Sequence, residues 1–158
     1  MKVIYHCYGR AHSSVVAAHL HLGTLPLAGP VSKEQIMAVP EFDRAEAADF
    51  GAPYFVGQDE AGNEVYILGL NGQTPLCVRA MLSLAGQLGL ADRILLVNTL
   101  TAIGLTTRVG GFISKKLRCP RLGKPLATLG IIRSLPRLRQ LVAVVKKELA
   151  QKGQSGDA

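Results

Sequence analysis

The stretch YHCYGRAHSSVVAAH, residues Tyr5 to His19, gathers a thiol, a guanidinium, an imidazole and two hydroxyls on Cys7, Arg10, His12, Ser13 and Ser14. These side-chain types suit two tasks. Hydroxyls and cations hold a phosphate, sulfate or carboxylate, and a thiolate attacks an electrophilic centre held beside it. The preceding run, KVIYHC, is β-branched and aromatic, whereas SSVVAAHLHLG has helical spacing. The reactive types therefore fall on a turn between strand and helix, where unpaired N–H groups and the helix dipole attract negative charge. Gly9 allows the turn. Tyr8, Gly9, Arg10, His12, Ser13 and Ser14 are the candidate ligand-binding residues of this turn, and Cys7 is the candidate nucleophile. The plain alternatives are a Ser13 that only caps the helix and a Cys7 that only fills space at a strand end.

Several familiar chemistries are excluded. A Walker A loop counted from Gly9 needs a second glycine and then a lysine, but the chain has Ser14 and Val15 there. The dinucleotide pattern G-x-G-x-x-G fails because the turn holds one glycine. His6, Cys7 and His12 follow no standard zinc spacing, and no metal or other cofactor is expected. Nothing orders the serines and histidines into a Ser-His-Asp triad.

CYGRAHSSVVA resembles the active loop of low-molecular-weight tyrosine phosphatases and related arsenate reductases, C-x5-R-S at a strand-to-helix junction. That resemblance would make Cys7 the nucleophile, Gly9 a loop glycine and Ser14 the serine after the arginine. Ser13 stands where the arginine belongs, and the chain has no Asp-Pro dipeptide to place a general acid. Without a bidentate guanidinium on the phosphoryl oxygens, that mechanism loses its main electrostatic support. The turn is also similar to the phosphocysteine loop of sugar-phosphotransferase IIB components, in which backbone and hydroxyls hold the phosphoryl group. Ser13 and Ser14 suit that style better. Over its whole length the chain resembles a family of short bacterial proteins described only as a domain of unknown function. IYHCYG, HSSVVAA, DEAGNEVYILG and RVGGFISKKL carry that resemblance, which implies no activity.

The elements that must position these residues follow from periodicity. Lys2–Cys7 reads as a first strand, followed by a helix capped at Ser13 or a neighbour and stopped by Gly23. Ser32 and Gln35 have capping-box spacing for a short helix closed by Pro40. EFDRAEAADFG is an acidic surface segment. Tyr54–Gly57 and Glu64–Leu70 flank the turn-rich QDEAGN as a hairpin. Thr74 and Pro75 signal the start of a helix with Leu76, Ala80, Met81, Leu84 and Leu88 on its apolar face and Gly89 at its end. RILLVNT and KPLATLGII read as buried strands, with a helix from about Arg108 between them. A last helix begins at Ser134, and QKGQSGDA is a fraying tail.

Alternating strands and helices predict one three-layer α/β domain over residues 1–152, with a flexible tail over 153–158. The expected sheet is mostly parallel and Rossmann-like, with the hairpin at or near an edge. Ligands in such sheets bind beyond the carboxyl ends of strands. Asn98, at one such end, and Arg108, beside Gly110 and Gly111, therefore join the candidate ligand-binding set.

Composition sets the outer limits. The chain has 158 residues, enough to bury a core, and no apolar run approaches a membrane span. Cys7, Cys77 and Cys119 are odd in number and, with no secretory h-region at the start, fit a reduced, cytoplasmic protein. Residues 1–100 carry six Lys/Arg against nine Asp/Glu, a net −3, whereas residues 101–158 carry twelve against two, a net +10. That asymmetry makes a non-enzymatic regulatory or RNA-associated module the alternative function. Its basic candidates are Lys115, Lys116, Arg118, Arg121, Lys124, Arg133 and Arg137, whose plain reading is a solvated face. The leading expectation is an anionic small-molecule ligand at the Tyr8–Ser14 turn, with Cys7 available for phosphoryl or thiol chemistry.

Overall fold

The computed structural model of the chain describes residues 1–103 and 120–155. Strand β1 (Lys2–Cys7) leads into helix α1 (Ser13–His21), followed by α2 (Lys33–Ala38). Strands β2 (Tyr54–Gln58) and β3 (Glu64–Gly69) form a hairpin, and α3 (Thr74–Gln87) connects β3 to β4 (Ile94–Asn98). A 3-10 turn, Thr99–Ala102, follows β4, and the long helix α4 spans Pro120–Ser155.

The four strands form one open sheet in the order β2-β3-β1-β4. β1 pairs in parallel with both β3 and β4, whereas β2 runs antiparallel to β3. The sheet is therefore mixed rather than purely parallel, and the hairpin supplies the antiparallel edge. A register shift between Phe55 and Gly57 interrupts the hairpin, a bulge that twists an edge strand.

Alternation along β1 assigns its side chains to two cores. Val3 and Tyr5 join α1 and α4 residues such as Val15, Leu20, Ile131 and Leu138 in the larger one. Ile4 joins Leu68 and Leu70, against which Cys77, Val78 and Met81 of α3 pack. Every residue of α1 is buried, because the helix lies between the sheet and α4. Each fully buried leucine or isoleucine here contributes roughly 1.5–3 kcal/mol relative to exposure.

Four expectations need correction. KPLATLGII is not a strand: residues 124–132 lie inside α4. Ala127, Ile131, Leu135, Leu138, Val142, Val145 and Leu149 are all buried, so one helical stripe continues through the apolar run. Ser134 accordingly does not cap a new helix. It sits mid-helix, and its hydroxyl donates to the Gly130 carbonyl at 2.8 Å. The start of α3 is shifted by one residue, with Gln73 rather than Thr74 at the N-cap. Its buried side is Ala85 with the half-buried Cys77, Val78 and Met81, while Leu76, Leu84 and Leu88 are exposed. Of the face expected from periodicity, Met81 alone packs inward. The helix expected from about Arg108 lies outside the described residues.

Other punctuation agrees with the sequence. Gly23 takes φ 75° just beyond the end of α1. The Ser32–Gln35 capping box is formed in both directions, at 3.2 Å and 2.8 Å.

Candidate functional site

The turn from β1 to α1 is fixed by its neighbours. The carbonyls of Cys7 and Tyr8 accept from the backbone of Leu70 at 3.1 Å and Asn71 at 2.8 Å, and Ala11 accepts from Asp43 N–H at 2.9 Å. Arg10 takes φ 53°, an uncommon conformation for a residue with a side chain. Gly69, at the end of β3, lets this backbone come close: an added Cβ would lie 3.0 Å from both Gly9 C and Arg10 N.

Cys7 ends β1 with its side chain on the α1 side, as alternation from Tyr5 requires. Its Sγ is 3.1 Å from Ser14 Oγ, and both residues are buried. Ser13 turns to another partner, Thr99 Oγ1, at 2.9 Å. Thr99 in turn donates to the His6 carbonyl at 3.0 Å, tying β1, the post-β4 turn and the first residue of α1 together. The N-cap of α1 is His12, which makes no side-chain capping bond. Its Nε2 instead meets Asp43 Oδ1 at 3.1 Å, with its ring edge-on to Phe42.

The remaining candidates are dispersed. Gly9 is buried in the turn, and Tyr8 is exposed with its ring against Phe50. Arg10 points to Asp49, with Nη2 2.6 Å from Oδ2, and its guanidinium lies over the Tyr54 ring at 4.9 Å. Asn98 caps the following turn by accepting from Leu100 N–H at 3.0 Å. Arg108 lies outside the described residues. The structure thus brings Cys7 and Ser14 together, turns Ser13 to Thr99, and draws Arg10 and His12 to carboxylates on the 41–49 segment. Thr99, Asp43 and Asp49 join the site beyond what the sequence predicts. Their only signals were a threonine just past an apolar strand and the acidic run after Pro40.

This junction lies where the direction of strand addition reverses. From β1 the chain builds β3 on one side, then crosses β1 through α3 to place β4 on the other. His6 and Asn98 are register partners across that seam. His6 is buried, its Nδ1 meets no hydrogen-bond partner among the described residues, and burial lowers its imidazole below the ordinary value.

Residues 2–147 match the model of a family described as "Protein of unknown function (DUF3189)". The chain belongs to that family. No curated protein and no solved structure matches it. The first-turn N–H groups of α1 have no acceptor within the helix, and the side chain of the N-cap residue, His12, does not cap them. A thiolate at Cys7 would accept a hydrogen bond from Ser14. Ser13 has less to offer a ligand, because its hydrogen is committed to Thr99. Among the described residues no three His, Cys, Asp or Glu side chains gather as a metal site, and no helix is long and apolar enough to cross a membrane.

Proposed function

We propose that this DUF3189 protein binds a small phosphorylated or similarly anionic ligand at the β1–α1 turn. The observation that supports this reading best is the Cys7–Ser14 pair, 3.1 Å apart at the N-terminus of α1, whose N-cap His12 makes no side-chain capping bond. A helix N-terminus attracts negative charge, and a hydroxyl beside it adds a donor. Cys7 is the candidate nucleophile: its sulfur would bond to phosphorus as the bond to the departing oxygen breaks. The same reading takes residues 1–152 as one three-layer, Rossmann-like domain working in the cytoplasm. The test is thermal unfolding with inorganic phosphate or sulfate. The wild type should be stabilised, and Ser14→Ala should lose that shift. An equal shift in both would overturn the reading.

The second reading is an RNA-associated module. Arg133, Arg137 and Lys147 favour it, because all three are exposed on α4 at spacings that share one side of the helix. RNA binding should then weaken steeply with salt and on charge reversal at Arg133 and Arg137. Binding that ignores salt would remove it.

A further inference from the structure

A cavity of about 240 Å³ opens beside Arg10, away from the Cys7–Ser14 pair, and its other walls come from the Pro40–Ala45 segment and the β2–β3 hairpin. Its lining divides by chemistry. Pro40, Ala45 and the Tyr54 ring supply apolar surface over the buried Ile67, while Arg10 and Arg44 supply guanidinium groups. Glu41 also lines it, but its carboxylate accepts from His19 Nε2 at 2.9 Å. Arg44 is exposed and has no ion-pair partner among the described residues.

The wall is held in place rather than draped. His12–Asp43 at 3.1 Å and His19–Glu41 at 2.9 Å tie it to α1, and Phe42 between them is buried. Both sides of the opening store backbone strain. Of three non-glycine residues with positive φ among those described, Arg10 (53°) contributes to the lining and Asp43 (60°) sits in the wall. Arg10 lines the cavity with Asp49 as its counter-ion and its guanidinium over the Tyr54 ring.

We infer that this cavity is a second binding site, for a compact organic anion with a flat apolar body and one carboxylate or phosphate group. The body packs on Tyr54 and Pro40, and the anionic group meets Arg44 and Arg10. Asp49 is then an internal competitor, since it occupies the guanidinium that an incoming anion would use. A site of this kind discriminates by having both parts, so an inorganic ion should bind more weakly than an aryl one. The inference does not depend on chemistry at Cys7.

The test uses the full chain with benzoate, phenyl phosphate and inorganic phosphate as probes, followed by amide and methyl NMR shifts and by calorimetry. The two aryl anions should bind more tightly than inorganic phosphate, with shift changes centred on Tyr54, Ala45 and Ile67. The stronger aryl probe identifies the preferred anionic group. Arg44→Gln should weaken binding on the order of tenfold, equivalent to about 1.4 kcal/mol. Asp49→Asn should strengthen it by freeing Arg10, whereas Arg79→Gln, which removes an exposed charge on α3, should leave it unchanged. Arg10→Gln is the direct variant, but it also removes the contact with Asp49, so the opposed effects of Arg44→Gln and Asp49→Asn decide the matter. Failure of both aryl probes to bind, shifts confined to Ser13 and Ser14, or equal affinities in the wild type, Arg44→Gln and Asp49→Asn would overturn the inference.

Discussion

The hydroxyl of Ser13 donates to Thr99 Oγ1 at 2.9 Å, a direction fixed because Thr99 spends its single hydrogen on the His6 carbonyl at 3.0 Å. Both hydroxyl residues are buried, so this chain of two bonds is shielded from competing water. It fastens the start of α1 to the carboxyl ends of β1 and β4. It also separates two serines that look equivalent in the sequence: Ser13 is structural, and Ser14 faces the thiol.

Thr99→Val should therefore destabilise the fold by ~1–3 kcal/mol, since it strands the Ser13 hydroxyl and the His6 carbonyl in a buried place. Thr99→Ser keeps the hydroxyl and should recover most of the loss. Urea unfolding of the three proteins measures this. A valine variant as stable as the wild type would mean that the bonds contribute nothing net.

Gly69 and Gly86 make an opposed pair. A Cβ at Gly69 would come within 3.0 Å of Gly9 and Arg10 backbone atoms and 3.1 Å of Phe50, and none of these yields easily. Gly69→Ala should cost ~1–3 kcal/mol and weaken phosphate protection by displacing the turn. Gly86, near the end of α3, faces open space. Gly86→Ala should instead stabilise by roughly 0.5–1 kcal/mol through backbone entropy. Thermal unfolding of both variants reads the contrast in sign.

Local rules were legible in the sequence where one short-range interaction decides the outcome. The Ser32–Gln35 box, the stop at Gly23 and the hairpin around QDEAGN all belong to that kind. KPLATLGII misled because an apolar run has no intrinsic period. Its neighbours downstream, Leu135 and Leu138, extend its pattern at helical spacing and bury it against α1. The face of α3 misled for the reverse reason: leucines at helical spacing mark a stripe, but which side meets the sheet depends on Ile4 and Leu68, far away in the chain. At the candidate site, the residue types of the turn were legible. Their partners were not, because Thr99, Asp43 and Asp49 arrive through tertiary contacts across the junction.

Acid should destabilise the fold in two stages. Burial lowers the imidazoles of His6 and His21 from 6.5, for His21 against the opposing pull of Asp59. The unfolded chain then binds these protons more readily, so the stabilisation is complete above 6.5 and fades as pH falls through the lower folded values. Burial pushes the Asp59 carboxyl up, but hydrogen bonds from Asn63, His21 and the Ala61 backbone outweigh it and hold the group at about 2, below 3.8. Its contribution is lost as pH falls from 3.8 towards 2. Melting temperatures across the acid range should show both stages, and Asp59→Asn should flatten the lower one. A flat profile below neutrality would contradict the neutral, buried histidines.

Cys7 and Cys77 differ in access, and that difference tests the turn without presuming any reaction. Cys7 is buried against Ser14, whereas Cys77 is half-buried on α3. Iodoacetamide should label Cys77 before Cys7. Cys7 should lag by roughly tenfold or more if reaching it needs a local opening of ~1.4 kcal/mol. Peptide mapping by mass spectrometry follows both sites in one sample. An anion seated at the α1 N-terminus would hold the turn closed, so added phosphate should slow Cys7 further while leaving Cys77 unaffected. Ser14→Ala removes the hydroxyl that meets the sulfur and should abolish this added protection. If phosphate slows both cysteines equally, the effect is general stabilisation, and the turn is not where the anion sits.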